Sequence, residues 1–344
     1  MIAGGGTGGH AIPALCVADE LRSRGVDVEF LGASSGIEAD LVPAAGYRLH
    51  ALPLRGLSGG PLGAARAGAL FMRACMRFRD VIRDFGPRAL LGVGGYASAP
   101  AVVAAWTLGV PTFLHEQNSV PGKVNRLAAR FTREVFITFP EAAGYLPGAV
   151  QVGMPTRPEF FRIRREEALR RLELKPPVVL LYGGSGGALR LNLAAVEAFA
   201  GETSYSVLHI SGRRDYPRLK PRNPRHRIVA YDDEIWWALG AAEVVVSRAG
   251  AGSLFDLAAA GRAAILVPFP HAAGDHQLRN ARYFTDRRAA ELLPDSEVTG
   301  DALRERVERL LADDSRRREL ESRIRDLATP GAAAAVAERL LRQW

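Results

Sequence analysis

Cysteine is scarce in this chain of 344 residues: Cys16 and Cys75 are its two, and they lie far apart. They give neither a disulfide framework nor a zinc signature, which favours a reducing cytosol. No apolar run approaches the ~20 residues that cross a bilayer, and no basic segment precedes a long apolar stretch at the start. The expected protein is therefore soluble or peripheral. The form GxxxxGK(S/T) is absent, which argues against a P-loop nucleotidase. Lysine is also rare. Lys123, Lys175 and Lys220 are the only ones, so the net charge of +8 is carried by arginine. Such a charge invites an anionic partner: nucleic acid, a phosphorylated small molecule or an acidic membrane. Genome base composition or heat adaptation produces the same bias. With 48% hydrophobic and 24% charged residues, the chain is neither disordered, collagen-like nor a coiled coil. Its length suits two domains.

Short apolar runs alternate with amphipathic stretches throughout. Val26–Gly32, Ala89–Val93, Thr112–His115 and Glu134–Phe139 read as strands, as do Val178–Tyr182, Tyr205–Ile210, Arg227–Ala230, Val244–Ser247 and Ala264–Pro268. Runs without polar alternation suit buried parallel strands joined by helical crossovers. The fold class is α/β. Each half opens on an apolar strand running into a glycine-rich turn, Met1–Ala3 into Gly4–Gly9 and Val178–Tyr182 into Gly183–Gly187. Between them, Gln151–Phe161 reads as a hinge linker, and Arg162–Leu172 as a charged helix. After the breaker Thr329-Pro330-Gly331 comes a separate terminal helix. Two doubly wound Rossmann-like domains with parallel sheets, facing each other across a cleft, are the simplest assembly; ligands then bind beyond the carboxyl ends of the strands.

Gly4–His10 contains GxGxxG, a weak signal alone, and Glu29 is poorly placed for a dinucleotide ribose. The turns do not come singly. Gly92–Tyr96, Gly183–Gly187 and Ala249–Ser253 each follow an apolar strand and precede a helix. One such turn is usually only a tight connection. Four at one edge favour a phosphate-bearing ligand approached by helix-start N–H groups.

Gly4–His10, Gly94-Gly95-Tyr96, His115-Glu116-Gln117-Asn118, Gly183–Ala188 and Ser247–Asp256 follow one another in a specific order and spacing. In these motifs the chain resembles the MurG-type N-acetylglucosaminyltransferase family of bacterial cell-wall synthesis, which converts lipid I to lipid II. The resemblance covers nearly the whole chain. It implies a two-domain GT-B fold. Residues 1–153 would form the acceptor and membrane-binding domain, joined by 331–344, and residues 158–330 the UDP-N-acetylglucosamine donor domain. No cofactor or metal is implied. No Asp-x-Asp occurs, and the acidic cluster Asp232-Asp233-Glu234 lies in a loop before a helix.

Transfer requires a hydroxyl to attack the anomeric carbon with inversion while UDP departs. Helix-start N–H groups substitute for a cation at the leaving diphosphate. Ser185 and Gly186, at the start of the helix after Leu181, are expected in that role, and the resemblance implies added charge from Arg157 in the hinge. Ala251, Gly252, Ser253 and Leu254 belong to the same donor set. Asp256 would accept the ribose hydroxyls, although the family normally has glutamate there. A helix-start aspartate favoured by the macrodipole is the plainer account. Tyr231 falls where the family reads the uracil edge, and Glu234 departs from the usual apolar residue. His276 and Gln277 match a polar pair that holds sugar hydroxyls, glutamine being usual at the first position in some members.

His10 suits the general base at neutral pH; equally, it only donates to the acceptor diphosphate or orients a loop. Glu116 is the fallback base. Thr7, Gly8 and Gly9 would cradle the lipid-linked diphosphate or meet the donor, and Asn118 would hold sugar hydroxyls. Gly6, Gly94, Gly95 and Tyr96 complete the acceptor set. Between Pro61 and Arg83, Arg66, Arg73 and Arg77 fall on one helical face bordered by Leu62 and Leu70. That basic stripe, with Trp106, fits the anionic inner-membrane surface; an ordinary solvated face fits as well. The expected partners are UDP-N-acetylglucosamine, lipid I, that membrane surface at its cytoplasmic side, and cell-wall synthesis and division proteins, with no nucleic acid. A UDP-sugar epimerase or a glycolipid synthase of the same fold is the alternative enzyme.

Overall fold

The computed structural model describes residues 1–54, 61–184 and 187–342, with side chains for all of these except 61–67. The chain divides into two compact units, Met1–Thr156 with Gly331–Trp344, and Arg157–Pro330.

In the first unit the described strands are β1 (Ile2–Ala3), β2 (Glu29–Ala33), β3 (Arg48–Leu52), β4 (Leu90–Gly92), β5 (Thr112–Glu116), β6 (Glu134–Ile137) and β7 (Val150–Gln151). They pair in the order β3-β2-β1-β4-β5-β6-β7, all parallel. The second unit contains β8 (Val178–Tyr182), β9 (Ser206–Ile210), β10 (His226–Val229), β11 (Val244–Ser247), β12 (Ala263–Leu266) and β13 (Glu291–Leu292). Their order is β10-β9-β8-β11-β12-β13, again all parallel. These are two Rossmann-like α/β units. Strand order reverses beside β1 and β4 in one and beside β8 and β11 in the other, which is where such sheets bind ligands.

Successive strand residues enter opposite cores, as the pleat requires. Ile2, Phe30, Leu91 and Phe113 fill one face of the first sheet, and Ala3, Leu31, Leu90 and Leu114 the other. The terminal helix Ala332–Leu341 lays Val336, Ala337 and Leu340 into the first of these cores, and Arg339 pairs with Glu134. Each buried Val or Leu stabilises by roughly 1.5–3 kcal/mol, against about 1 kcal/mol or less for a part-exposed ion pair. The apolar seam is what holds this helix.

Three strands lie outside the sequence expectation: β3, β7 and β13. Residues 48–52 are half-exposed and mixed in polarity because β3 is an edge strand. Its charges are answered from β2, where Glu29 lies 2.6 Å from His50 Nε2 and 3.6 Å from Arg48.

Candidate active site

Glycine-bearing turns leave the carboxyl ends of β1, β4, β8 and β11. After β1, Gly4, Gly5 and Gly6 run at φ 143°, 145° and 90°, which L side chains rarely adopt. A Cβ on Gly4 would lie 2.4 Å from the Gly94 oxygen, and one on Gly95 only 2.1 Å from the Gly5 oxygen. The Gly5 amide donates to that Gly94 oxygen at 3.2 Å. The two turns therefore touch backbone to backbone. Thr7 is the N-cap of the helix Gly8–Ser23, whose first turn holds the half-buried His10. His10 Nδ1 lies 3.0 Å from Thr7 Oγ1, and a Cβ on Gly94 would meet the imidazole at 2.9 Å. The first unit thus brings Gly6, Thr7, Gly8, Gly9, His10, Gly94 and Gly95 together, with Tyr96 54% exposed at the edge. Gly6 is exposed, yet its amide is taken: it donates to Glu38 at 2.6 Å.

The strand β5 ends in His115 and Glu116, both buried. His115 Nε2 donates to the Gly153 oxygen at 3.0 Å, while Nδ1 accepts from Gln117 at 3.1 Å. Burial pushes this imidazole down to about 4, against a smaller upward pull from the Gly153 bond. It is neutral near pH 7 and acts as a tie. Glu116 also differs from its expected place as fallback base. One oxygen accepts from the Asn118 amide at 2.9 Å and the Asn118 side chain at 3.3 Å. The other accepts from the Gly122 amide at 3.2 Å and Asn125 Nδ2 at 2.9 Å. Burial raises its carboxyl above the usual range while these donors pull it back. A general base must reach the proton it takes; this carboxylate is enclosed and fully engaged in closing the loop 117–122.

In the second unit, Ser185 and Gly186 lie outside the described residues. Next to them, Gly187 (φ 78°) packs so closely that a Cβ would meet Asp215 Oδ2 at 2.5 Å. Asp215 is occupied by Asn192 Nδ2 at 3.0 Å and Arg214 Nε at 2.7 Å. The helix Ala251–Ala260 starts directly after Gly250 with no acidic residue in its first turn. The amides of Ala251, Gly252 and Ser253 precede the first intrahelical bond, so they are the helix-start donors. Leu254 is different. Its amide already donates to the Gly250 oxygen at 3.0 Å and its side chain is fully buried, so it offers no donor.

One turn further along this helix, Asp256 is half-buried and has no hydrogen bond or ion pair among the described residues. Burial pushes its carboxyl up to about 7, and Arg157 pulls it down. Arg157 lies over the Trp236 ring at 4.8 Å and donates to the Asp233 oxygen at 3.4 Å, while its buried Nε has no partner. An unpaired, desolvated carboxylate beside an under-satisfied guanidinium marks a functional site better than a structural one. Gln277 Oε1 accepts from the amides of Ala249 at 3.2 Å and Phe269 at 3.0 Å, and so joins the turns after β11 and β12. His276 Nδ1 donates to the Ala273 oxygen at 2.9 Å, which leaves Nε2 as an acceptor. Tyr231 is half-buried beneath Arg213, 4.5 Å from its ring centre.

The chain matches the glycosyltransferase family 28 N-terminal domain over residues 1–137 and the family's C-terminal domain over residues 178–336. It belongs to glycosyltransferase family 28. A Rubrobacter xylanophilus protein named UDP-N-acetylglucosamine–N-acetylmuramyl-(pentapeptide) pyrophosphoryl-undecaprenol N-acetylglucosamine transferase is 63% identical over 328 residues, 94% of this chain and 98% of that protein. A protein of the same name from Acidithiobacillus ferrooxidans is 41% identical, covering 98% of this chain and 95% of its own. Among solved structures, Acinetobacter baumannii MurG superposes with a TM-score of 0.77 at 26% identity over 99% of both chains. A Neisseria meningitidis UDP-GlcNAc 2-epimerase, at 12% identity and a TM-score of 0.71 over 99% of both chains, shares the fold alone.

Two features of this family 28 chain escape sequence reasoning. Glu234, out of pattern as an acidic residue, pairs with Arg171 at 2.6 Å, and Arg171 lies over Trp237 at 5.0 Å. On the helix Pro61–Phe85, Met72 and Met76 are each 59% exposed, beside exposed Leu70, Arg73 and Arg77. Phe78 and Ile82 turn inward. Leu62 and Arg66 lie outside the residues whose side chains are described. Trp106, 53% exposed and edge-on to Phe131 at 5.1 Å, follows on the next helix, where Arg79 reaches Thr107 at 3.4 Å. No helix among the described residues is long and apolar enough to cross a membrane.

Proposed function

We propose that the chain moves N-acetylglucosamine from UDP-N-acetylglucosamine to the 4-hydroxyl of the N-acetylmuramyl group of lipid I, forming lipid II. The observation that carries this reading is the Asp256 carboxylate, unpaired among the described residues and drawn down by Arg157, one turn beyond the helix-start amides of Ala251, Gly252 and Ser253. Those groups suit a nucleoside diphosphate: a carboxylate for ribose hydroxyls, and amides and a guanidinium for the diphosphate. The relatives' printed name supplies the sugar and the acceptor.

In the reaction the acceptor oxygen attacks C1 of the sugar as the bond from C1 to the diphosphate oxygen breaks, which inverts the centre. His10 takes the hydroxyl proton. That role requires the tautomer in which Nδ1–H donates to Thr7 Oγ1 and the lone pair sits on Nε2. Charge growing on UDP is met by the helix-start amides and Arg157. The turn Thr7–Gly9, with Gly94, Gly95 and Tyr96, holds the acceptor. Asn118 holds sugar hydroxyls, as do His276 and Gln277. Leu70, Met72, Arg73, Met76 and Arg77, with Trp106, meet the anionic cytoplasmic face of the inner membrane, where the lipid tail stays, and place the enzyme among cell-wall synthesis and division proteins.

Purified chain incubated with radiolabelled UDP-N-acetylglucosamine and lipid I in vesicles is expected to yield labelled lipid II. Epimerised sugar nucleotide formed without acceptor would replace this reading with the epimerase one.

A further inference from the structure

Glu38 is 1% exposed, and no cation pairs with it among the described residues. It opens the short helix Glu38–Ala44, but its side chain reaches away from that helix. One carboxylate oxygen accepts from the Gly6 amide at 2.6 Å, and the other from the Ala33 amide at 3.0 Å. Three glycines make the space. A Cβ on Gly5 would lie 2.1 Å from the Glu38 carboxyl carbon, one on Gly36 2.0 Å from Oε2, and one on Gly32 3.0 Å from Cγ. The turn after β1 is thus clasped on one side by Gly94 and Gly95 and on the other by a carboxylate 32 residues away in sequence.

A carboxylate accepting two backbone donors makes charge-assisted bonds, stronger than neutral ones. It fills the place where this turn would otherwise receive an anion. We infer that Glu38 is the positioning residue of the acceptor turn. By holding the Gly6 amide it fixes the Gly4–Gly6 backbone, sets the start of the helix Gly8–Ser23, and so aims Thr7 and His10. The acceptor diphosphate then meets the exposed Thr7–Gly9 segment and leaves the Gly6 amide untouched. This inference rests on the assignment of lipid I to the first unit.

Glu38→Gln keeps the shape but presents an NH2 to one of two N–H donors. Gly36→Ala leaves every polar group in place, and Gly36 has an ordinary φ, yet its new methyl group must evict the carboxylate. Both variants are expected to lose about 10-fold to 100-fold in kcat/KM for lipid I, the scale of a misplacement near 1 Å. The KM for UDP-N-acetylglucosamine should stay within about two-fold. Amide exchange in a peptide covering residues 1–10 should rise while peptides of Arg157–Pro330 keep their protection. In a Glu38→Ala background, Gly36→Ala should cost nothing more, because the group it displaces is gone. Retention of acceptor kcat/KM within about two-fold in both variants overturns the inference, as does a rise in the KM for UDP-N-acetylglucosamine as large as the acceptor loss, or additive losses in the double variant. Wild-type chain inactive on lipid I would instead strike the proposed function; the exchange of residues 1–10 would still report whether Glu38 clasps the turn.

Discussion

The first unit grips its turns with charge, whereas the second leaves a half-buried carboxylate unpaired among the described residues. After β1, successive positive-φ glycines lock against Gly94 and Gly95, and the Glu38 carboxylate occupies the Gly6 amide. After β11, an uncharged side chain, Gln277, bridges the backbone, and the nearby carboxylate, Asp256, has no hydrogen-bond or ion-pair partner among the described residues. Even beside Gly187 the carboxylate of Asp215 is consumed by Asn192 and Arg214. The same strand order around the reversal point therefore carries two different kinds of turn. Under the proposed function, one edge mounts the reacting imidazole and the other offers donors and an acceptor to the nucleotide.

The largest test of that contrast is His10→Ala. Turnover is expected to fall about 10²-fold or more, as for loss of a general base, with UDP affinity by calorimetry unchanged. Weakened UDP binding in this variant would erase the division of labour. Next is Asp256→Ala, expected to weaken uridine binding about 10-fold or more, the scale of hydrogen bonds to a charged group. Its elevated value gives this carboxylate a pH signature. With the folded group near 7, the folded chain binds a proton that the unfolded chain has already lost above the ordinary aspartate range. Its contribution to stability therefore falls as pH rises from about 4 to about 7. Asp256→Asn should melt higher than wild type at pH 8 and together with it below pH 4. Uridine affinity should rise through pH 7 in the wild type and stay flat in the variant. The smallest effect concerns the first unit's outer face. Arg73→Glu with Arg77→Glu should reduce cosedimentation with anionic vesicles several-fold, at about 1 kcal/mol per charge near the surface. Activity on a short-chain soluble acceptor should be spared.

What could be read beforehand follows from how local each signal is. The glycine turns were legible because a backbone that must touch another backbone leaves a residue type at a fixed place. Buried parallel strands announce themselves through continuous apolar runs, as Val178–Tyr182 does. The edge strand β3 does not, since Arg48 and His50 are satisfied by Glu29 on a neighbour. Glu38 was silent for the same reason: its partners are amides, which carry no letter in the sequence. Glu116 stood out as acidic among polar neighbours, but whether a carboxylate is free or enclosed depends on Gly122 and Asn125, several positions onward. Leu254 looked equivalent to the residues before it, and only helix register sets its amide apart.

The terminal helix imposes an order on synthesis. Val336, Ala337 and Leu340 belong to the same core as Ile2 and Phe30, so the unit that emerges first from the ribosome cannot complete its interior until Leu340 has been made. Residues 157–330, by contrast, hold everything their own core needs. That unit can mature while its elder neighbour still waits with an apolar seam uncovered, and a nascent chain stalled before Val336 would expose that seam to chaperones.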